Sequence, residues 1–429
     1  MPLNIKNTNK VDNNKENWHI EITAGLIGYL TTVYIVIVNG SILSEAGVTL
    51  GQGMMITILA SFLGTLLMAI YANLPLIMIP GMGINALFAY SIIKEAGLHF
   101  QEGLAVVLFS SLLFIIVAFT SLGDILKRAI SDTLKHAITA GLGCFLILIG
   151  LEKSGLVLRG GNTLIELGDF TSPTVIVSII TLFIAIFLFI KNIPANFLIT
   201  MIIGTVLAYF FDILEDPSSQ QAVQIEFSLF IPSFSALGNL SFWMAIFPLT
   251  MILVFENMGL LHGQLYMLNK EEKFNEAYQV TALSSLTCAF IGTSPTVSSA
   301  ENASVITAKG RTGLAALTAS ILFLVTIFFI QWLAYIPNTA VSSILIIVGV
   351  IMVQNIREVP LDDISEALPA ILVLVMIPFT YSIADGMAFG FIAYAVAKIA
   401  NRKYKELSPA FFIITVLFLL IFILKTFGL

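Results

Sequence analysis

The chain has 429 residues, of which 58% are hydrophobic and only 11% charged, and its mean hydropathy is +0.98. Soluble domains are typically about 45–50% apolar and about 25% charged, so this composition excludes a water-soluble fold. Runs such as 176–190 are apolar on every face, which excludes the alternating strands of an outer-membrane barrel. The formal net charge of −6 is less informative than the positions of the charges. We therefore predict an all-α polytopic membrane protein.

Residues 1–17 are polar and lack the apolar core of a signal peptide, so we predict a disordered cytoplasmic tail. The apolar stretches that follow predict membrane-crossing helices. Seven of them lie at 22–43, 54–71, 83–93, 103–121, 133–151, 174–190 and 193–211. Seven more lie at 241–261, 276–291, 299–308, 313–335, 339–353, 367–382 and 384–400. A last apolar stretch at 409–427 either crosses the membrane or re-enters it. Cys144 and Cys288 both lie inside predicted spans.

The positions of Lys and Arg predict the sidedness, because cytoplasmic loops carry an excess of both. With the tail inside and one crossing per span, most of the 20 Lys and Arg residues fall on the cytoplasmic side. The exceptions are Lys94, Lys153, Arg159 and Lys425. The segment 212–239 contains neither Lys nor Arg and is predicted to be an extracellular linker. We therefore expect a multi-pass protein of the inner (plasma) membrane with a cytoplasmic N-terminus.

Seven spans on each side of the linker predict two repeats, 18–211 and 240–403, followed by a C-terminal apolar segment, 404–429. Because seven is odd, the second repeat is inverted relative to the first. The third and tenth spans are short, and each follows a stretch rich in Pro, Gly or Ser. Matching interrupted spans are the best sequence pointer to a transporter's binding site. We therefore predict half-helices at spans three and ten.

Ionisable residues at membrane depth are costly and point to function. Glu256 lies in the middle of the eighth span, and Glu301 begins the tenth. Asn85 occupies the matching place in the third. The alternative for each Glu is a structural carboxylate that caps a helix or pairs across the bundle, and for Asn85 it is a helix cap.

Several neighbours complete the candidate substrate-binding set. Phe88 and Phe255 are placed to stack on a flat ligand, although aromatic residues in spans more often serve packing alone. The backbone of the two broken segments contributes Gly83, Thr293 and Ser294. No spacing typical of metal ligands occurs in the chain, so we expect no metal and no cofactor.

Carboxylates and amides in a small dry pocket suit a flat, neutral ligand with N–H donors and ring acceptors. A Glu that accepts from two adjacent N–H groups orients such a ligand and discriminates against analogues that lack them. Because a buried carboxylate is costly when it is charged, Glu256 and Glu301 are also candidates for proton coupling. We find no sequence motif of a hydrolase or a metalloprotease, which argues against an enzyme.

At these residues the sequence resembles the nucleobase/ascorbate transporter family, and within it the AzgA-like purine permeases. The resemblance covers most of the chain from about Trp18 to Lys403. It is most specific at 80–90, at 292–301 and at 378–386. It implies a core domain from spans 1–4 and 8–11, a gate domain from spans 5–7 and 12–14, an elevator-like movement and often a homodimer. In that family the acidic residues of spans eight and ten contact the base, and these align with Glu256 and Glu301. The family's third-span Asn aligns with Asn85.

The sequence also departs from the AzgA-like pattern. Leu253 replaces the first of two acidic residues that are usual in span eight, and Glu256 replaces the second. The triplets 255–257 and 300–302 are closer to uracil and xanthine permeases of the same family. The expectation is a proton-coupled importer of adenine, guanine and hypoxanthine that contacts the lipid bilayer and no nucleic acid. The alternatives are a uracil or xanthine permease, a nucleobase uniporter, and an anion transporter of the same fold.

Overall fold

The computed structural model describes residues 18–161, 163–214 and 230–426. The predicted tail at 1–17 and the part of the predicted linker from 215 to 229 lie outside the described residues. The helices of the first half are α1 (Trp18–Thr32), α2 (Ile35–Ser44), α3 (Leu50–Leu67), α4 (Met82–Ala86), α5 (Phe100–Phe119), α6 (Leu122–Ala129), α7 (Asp132–Lys153), α8 (Pro173–Ile190) and α9 (Asn196–Phe210). Those of the second half are α10 (Leu240–Leu268), α11 (Phe274–Ile291), α12 (Asn302–Thr307), α13 (Gly313–Val325), α14 (Ile330–Leu333), α15 (Asn338–Val353), α16 (Ile364–Thr380), α17 (Ile383–Ala400) and α18 (Pro409–Thr426).

Short elements join or extend these helices. Two π-helical segments, Met68–Ala72 and Leu87–Glu95, continue α3 and α4. Turns of 3₁₀-helix lie at Ser235–Gly238, Glu271–Lys273, Thr326–Phe329, Gln354–Glu358 and Tyr404–Glu406. Four short strands, β1 (Met78–Pro80), β2 (Val157–Arg159), β3 (Ile165–Leu167) and β4 (Thr296–Ser298), form two antiparallel pairs, β1 with β4 and β2 with β3. The prediction of an all-α chain therefore missed two small ladders.

Nine helices in the described ranges are long and apolar enough to cross a membrane. Three shorter apolar helices coincide with predicted spans 7 and 13 and with the C-terminal stretch. Predicted spans 3 and 10 correspond to the short helices α4 and α12, each preceded by a strand. The count of fourteen crossings and the inverted repeat stay predictions.

The helices pack in two groups. The first helix group consists of α1–α5 and α10–α13, in which α3 packs on α2, α11 and α13, and α5 packs on α10 and α11. The second helix group consists of α7–α9 and α15–α17, in which α7 packs along α15 and α16. The assignment of these groups to a core and a gate domain stays a prediction.

The crossing of α7 and α15 depends on two glycines. A Cβ atom on Gly143 would lie 2.5 Å from the carbonyl oxygen of Gly349, and one on Gly349 would lie 2.6 Å from that of Gly143. Both obstacles are backbone atoms, which cannot rotate away. Small residues at such crossings let membrane helices approach closely where no hydrophobic force drives them together.

The C-terminal helix α18 runs antiparallel beside α17 and matches its length of 18 residues. Just before α18, the Glu406 carboxylate lies 2.5 Å from Nζ of Lys398, near the end of α17. At the far end of α18, Nζ of Lys425 lies 2.5 Å from the carboxylate of Asp385, in the first turn of α17. Eighteen helical residues extend about 27 Å. The helix therefore runs beside α17 along its whole length, and its crossing of the membrane stays a prediction.

Residues that the charge pattern places outside are joined by ion pairs. Glu45 pairs with both Lys94 and Lys153, while Lys425 pairs with Asp385 and with Glu95, which follows Lys94 in the chain. Glu45 follows α2, Lys153 ends α7, Lys425 lies in the last turn of α18 and Asp385 in the first turn of α17. The pairs therefore place these helix ends at one end of the bundle, and the assignment of that end to the extracellular side stays a prediction.

Candidate functional site

Two extended segments, β1 and β4, pair at the centre of the first helix group, and we call this pair the crossing. β1 and β4 are antiparallel, with Met78 opposite Ser298 and Pro80 opposite Thr296. Each strand leads into a half-helix, α4 after β1 and α12 after β4. Because the strands run in opposite directions, the half-helices leave the ladder in opposite directions with their N-termini on either side of it. The N-terminal ends of both half-helix dipoles therefore face the crossing.

Buried extended backbone needs hydrogen-bond partners at membrane depth, and side chains supply them here. Asn302 accepts from the backbone N–H of Ile77 at 2.8 Å and donates to its carbonyl oxygen at 3.1 Å. Gln264 on α10 donates to the carbonyl oxygen of Ser299 at 2.7 Å and accepts from the Ser298 hydroxyl at 2.5 Å. The crossing is thus held by side chains from α10 and α12.

Asn85 projects from α4 and is fully buried. Its side-chain oxygen accepts a short hydrogen bond from the hydroxyl of Ser294, which precedes β4. Its amide nitrogen is buried and has no hydrogen-bond partner in the described part of the chain. The structure thus brings two predicted site residues together and leaves one N–H₂ donor of the pair available for a ligand.

Glu256 lies on α10, which packs against α4, α12 and β4. The residue is half-buried, and its Oε2 atom is buried without a hydrogen-bond partner among the described residues. The preceding Phe255 is buried, and Nζ of Lys135 on α7 lies 5.9 Å from the centre of its ring. An unpaired carboxylate oxygen at this depth is costly, and a ligand N–H group would satisfy it.

Glu301 precedes α12 and differs from Glu256 because protein donors occupy both of its carboxylate oxygens. The hydroxyl of Tyr34 donates to Oε1 at 2.5 Å. The hydroxyl of Ser299 donates to Oε2 in a short hydrogen bond. The carboxylate is therefore held in one orientation.

Tyr34 is not among the site residues predicted from the sequence. The first predicted span is interrupted between α1 and α2, and Tyr34 lies in the interruption with its side chain 1% exposed. A tyrosine in an apolar span reads as packing, and its partner Glu301 is 267 residues away. The one available signal is the hydroxyl itself, which needs a partner when it is buried.

The remaining predicted site residues are Thr293, Gly83 and Phe88. Thr293 is fully buried and accepts from the side chain of Asn39 at 3.5 Å. At Gly83 a Cβ atom would lie 2.8 Å from Cδ1 of Leu142 on α7, so α4 approaches the second helix group closely here. Phe88 is fully buried, and its ring packs edge to face on Phe100 at a centroid distance of 5.5 Å. The ligand role of Phe88 stays a prediction.

Comparison with protein families gives one match across most of the chain. The Xan_ur_permease model, described as "Permease family", matches residues 19–389. The matched region includes every candidate site residue. It also includes both half-helices and both helix groups, apart from Trp18 of α1 and residues 390–400 of α17.

Similar proteins of known name are permeases. The chain is 38% identical over 385 residues to the nucleobase transporter PlAzg2 of Paenibacillus larvae, covering 89% of this chain and 77% of that protein. It is 33% identical to the adenine permease AdeP of Escherichia coli, over 93% of this chain and 92% of that protein. It is 34% identical to the guanine/hypoxanthine permease PbuO of Bacillus subtilis, over 93% and 95%.

Solved structures with a similar fold are membrane transporters. The transmembrane domain of the cyanobacterial bicarbonate transporter BicA has a TM-score of 0.69 at 15% identity, over 90% of this chain and 98% of that chain. The murine anion transporter Slc26a9 in its inward-facing state has a TM-score of 0.66 at 11% identity, over 89% and 69%. At such low identity the likeness concerns the fold alone.

Proposed function

The chain belongs to the xanthine/uracil permease family and is a transporter, not an enzyme, and from this premise we propose that it imports purine nucleobases with a proton. The names of three relatives support nucleobases as the class of substrate, and two of those relatives are named for adenine or for guanine and hypoxanthine.

One observation of the site supports the proposal most directly. Among the described residues, Glu256 has a carboxylate oxygen without a donor and Asn85 has an amide N–H₂ without an acceptor. A purine base carries ring N–H donors and ring or exocyclic acceptors on adjacent edges. Such a ligand would satisfy both groups at once. A ligand with acceptors only, such as sulfate, would leave the carboxylate unpaired and repel it.

Different parts of the sequence favour different bases. The motif at 80–90 and the names of the relatives favour adenine, guanine and hypoxanthine. The triplets at 255–257 and 300–302 favour uracil or xanthine instead. Purines are the first candidate, and a uracil or xanthine permease is the second.

Proton coupling follows from the cost of an unpaired charge. When the site is empty, the charged form of Glu256 has an oxygen with no donor in a dry environment, so proton uptake lowers its free energy. A bound base supplies the missing donor and so lowers the free-energy cost of the charged form of Glu256. Binding of proton and base to one carboxylate is therefore linked. Glu301 differs in that protein donors already contact both of its oxygens.

An elevator-like movement would carry the site across the membrane within a fourteen-span, seven-plus-seven inverted repeat. The first helix group contains the half-helices and would serve as the core, while the second would serve as the gate. At the predicted outer end, the ion pair of Glu45 with Lys153 joins α2 to α7 across the groups. This pair has to break when the groups slide. A homodimer would fix the gate groups of two subunits in the membrane.

Uptake of a radiolabelled base tests the proposal. A bacterial strain without its own purine permeases, expressing this chain, should accumulate adenine, guanine or hypoxanthine above the external concentration. A protonophore should collapse that accumulation. Uptake that equilibrates and ignores the protonophore would identify a uniporter, and uptake of uracil or xanthine alone would favour the second candidate. A failure to transport any base by a correctly inserted protein would contradict the proposal.

A further inference from the structure

Tyr34 occupies an unusual position in the first span. α1 ends at Thr32 and α2 begins at Ile35, so the residue lies where the helix is interrupted. Its side chain is 1% exposed, and its hydroxyl donates to Oε1 of Glu301 at 2.5 Å. A hydrogen bond to a charged acceptor is shorter and about twice as strong as one between neutral groups. This contact fixes the Glu301 side chain from a different part of the chain.

The two glutamates of the site therefore differ in a way that their sequence contexts do not reveal. Glu301 has a protein donor on each oxygen, whereas Oε2 of Glu256 has none in the described part of the chain. A carboxylate has about four lone-pair positions, so Glu301 can still accept from a ligand. It can do so only in the orientation that Tyr34 and Ser299 impose.

The ring of Tyr34 contacts the second helix group. It lies 4.7 Å from the ring centre of Phe197 on α9, with the planes tilted by 58°. Phe197 also stacks on Phe189 of α8, at a centroid distance of 6.4 Å. One side chain thus touches the carboxylate of the site with its hydroxyl and the opposite helix group with its ring.

We propose that Tyr34 is a positioning residue for nucleobase transport. Its hydroxyl presets the Glu301 carboxylate for the base, and its ring keeps the hydroxyl in place by packing on Phe197. This inference rests on the proposed function, because it assumes that a base binds between Glu256, Glu301 and Asn85. It assigns the base-dependent change of partners to Glu256 and a fixed, orienting role to Glu301.

Tyr34→Phe removes the hydroxyl and retains the ring that packs on Phe197. The dissociation constant for the preferred purine base should rise about 10-fold or more, because Glu301 loses its fixed orientation. The maximal rate of uptake should stay within about twofold while KM rises. The matched control is Tyr29→Phe, on α1 in the same predicted span, whose hydroxyl contacts Thr326 at 2.8 Å. This control should leave both KM and the maximal rate unchanged.

Ser299→Ala removes the other donor to Glu301 without changing the first span. It should also raise the dissociation constant, and the Tyr34→Phe/Ser299→Ala double variant should show a non-additive loss, since both changes act through one carboxylate. If Tyr34→Phe fails to fold, Phe197→Leu tests the same inference, because it removes the ring contact that holds the Tyr34 hydroxyl and should also raise KM. Wild-type affinity in Tyr34→Phe, equal losses at Tyr34 and Tyr29, or additive losses at Tyr34 and Ser299 would each overturn the inference. Failure of the wild-type protein to bind any base would instead overturn the proposed function.

Discussion

Replacement of Glu256 by Gln tests the proposed site most sharply. The change keeps the size of the side chain and converts one of two acceptors into an N–H₂ donor. A base that donates two N–H groups to the carboxylate would then lose one hydrogen bond, meet a donor with a donor, and keep a weaker neutral bond. Hydrogen bonds to charged groups contribute about 1.5–3 kcal/mol each. A loss of about 3 kcal/mol corresponds to a rise in the dissociation constant of roughly 100-fold.

The same substitution should not harm the folded protein. Oε2 of Glu256 has no partner among the described residues, so replacing a buried charged group by a neutral amide lowers the cost of burial. The melting temperature of the ligand-free Gln variant should therefore equal or exceed that of the wild-type protein. A structural carboxylate would behave in the opposite way, because its removal would leave other groups unpaired.

The assay is isothermal titration of detergent-purified protein with the preferred base, together with thermal unfolding without ligand. The matched control is Glu276→Gln on α11, whose side chain is 42% exposed and pairs with Lys273. An exposed pair of this kind contributes about 0–1 kcal/mol, so the control should bind normally. Wild-type affinity in Glu256→Gln would refute the assigned role, as would a large drop in its ligand-free melting temperature.

Three further predictions follow from named contacts. Asn85→Ala should weaken binding of the base by about 1–3 kcal/mol in the same titration, and wild-type affinity would remove this amide from the site. Burial raises the pKa of Glu45. The positive charges of Lys153 and Lys94 outweigh this effect and hold that pKa below its ordinary value of 4.5. The pair therefore stabilises the protein above that value and loses its effect as the pH falls through the lowered pKa. Glu45→Gln should flatten the acid side of the melting-temperature profile, and an unchanged profile would contradict this. Gly143→Val should lower the melting temperature, because its side chain would collide with the backbone of α15. Gly263→Ala should leave the melting temperature unchanged, because a Cβ there meets no atom within 4 Å. Equal effects of the two substitutions would refute the packing argument.

The site residues that can be recognised from the sequence are those whose placement in lipid costs free energy. A carboxylate in the middle of a span, such as Glu256, is expensive in lipid and therefore stands out in any apolar stretch. Proline and glycine before a short span likewise reveal the interruptions that lead into α4 and α12. These signals are local, and the structure places Asn85 and Ser294 in contact as neighbouring members of the two broken segments.

The contacts that the sequence could not reveal join residues far apart in the chain. Tyr34 and Glu301 are separated by 267 residues, and Ile77 and Asn302 by 225. The β1–β4 ladder is only three residues long on each side, too short for a periodic pattern to be visible. Gln264 was missed because a polar residue near the end of a span reads as the start of a loop, although it holds β4 from α10.

A thermal-shift screen of the purified wild-type protein shows which class of ligand binds the site. The ligands are adenine, guanine, hypoxanthine, xanthine, uracil, sulfate and bicarbonate, each over a range of concentrations. A ligand at 100 times its dissociation constant stabilises the folded state by about 2.7 kcal/mol. We expect such stabilisation by one or more purine bases and none by the anions. Stabilisation by sulfate or bicarbonate with no response to any base would contradict it.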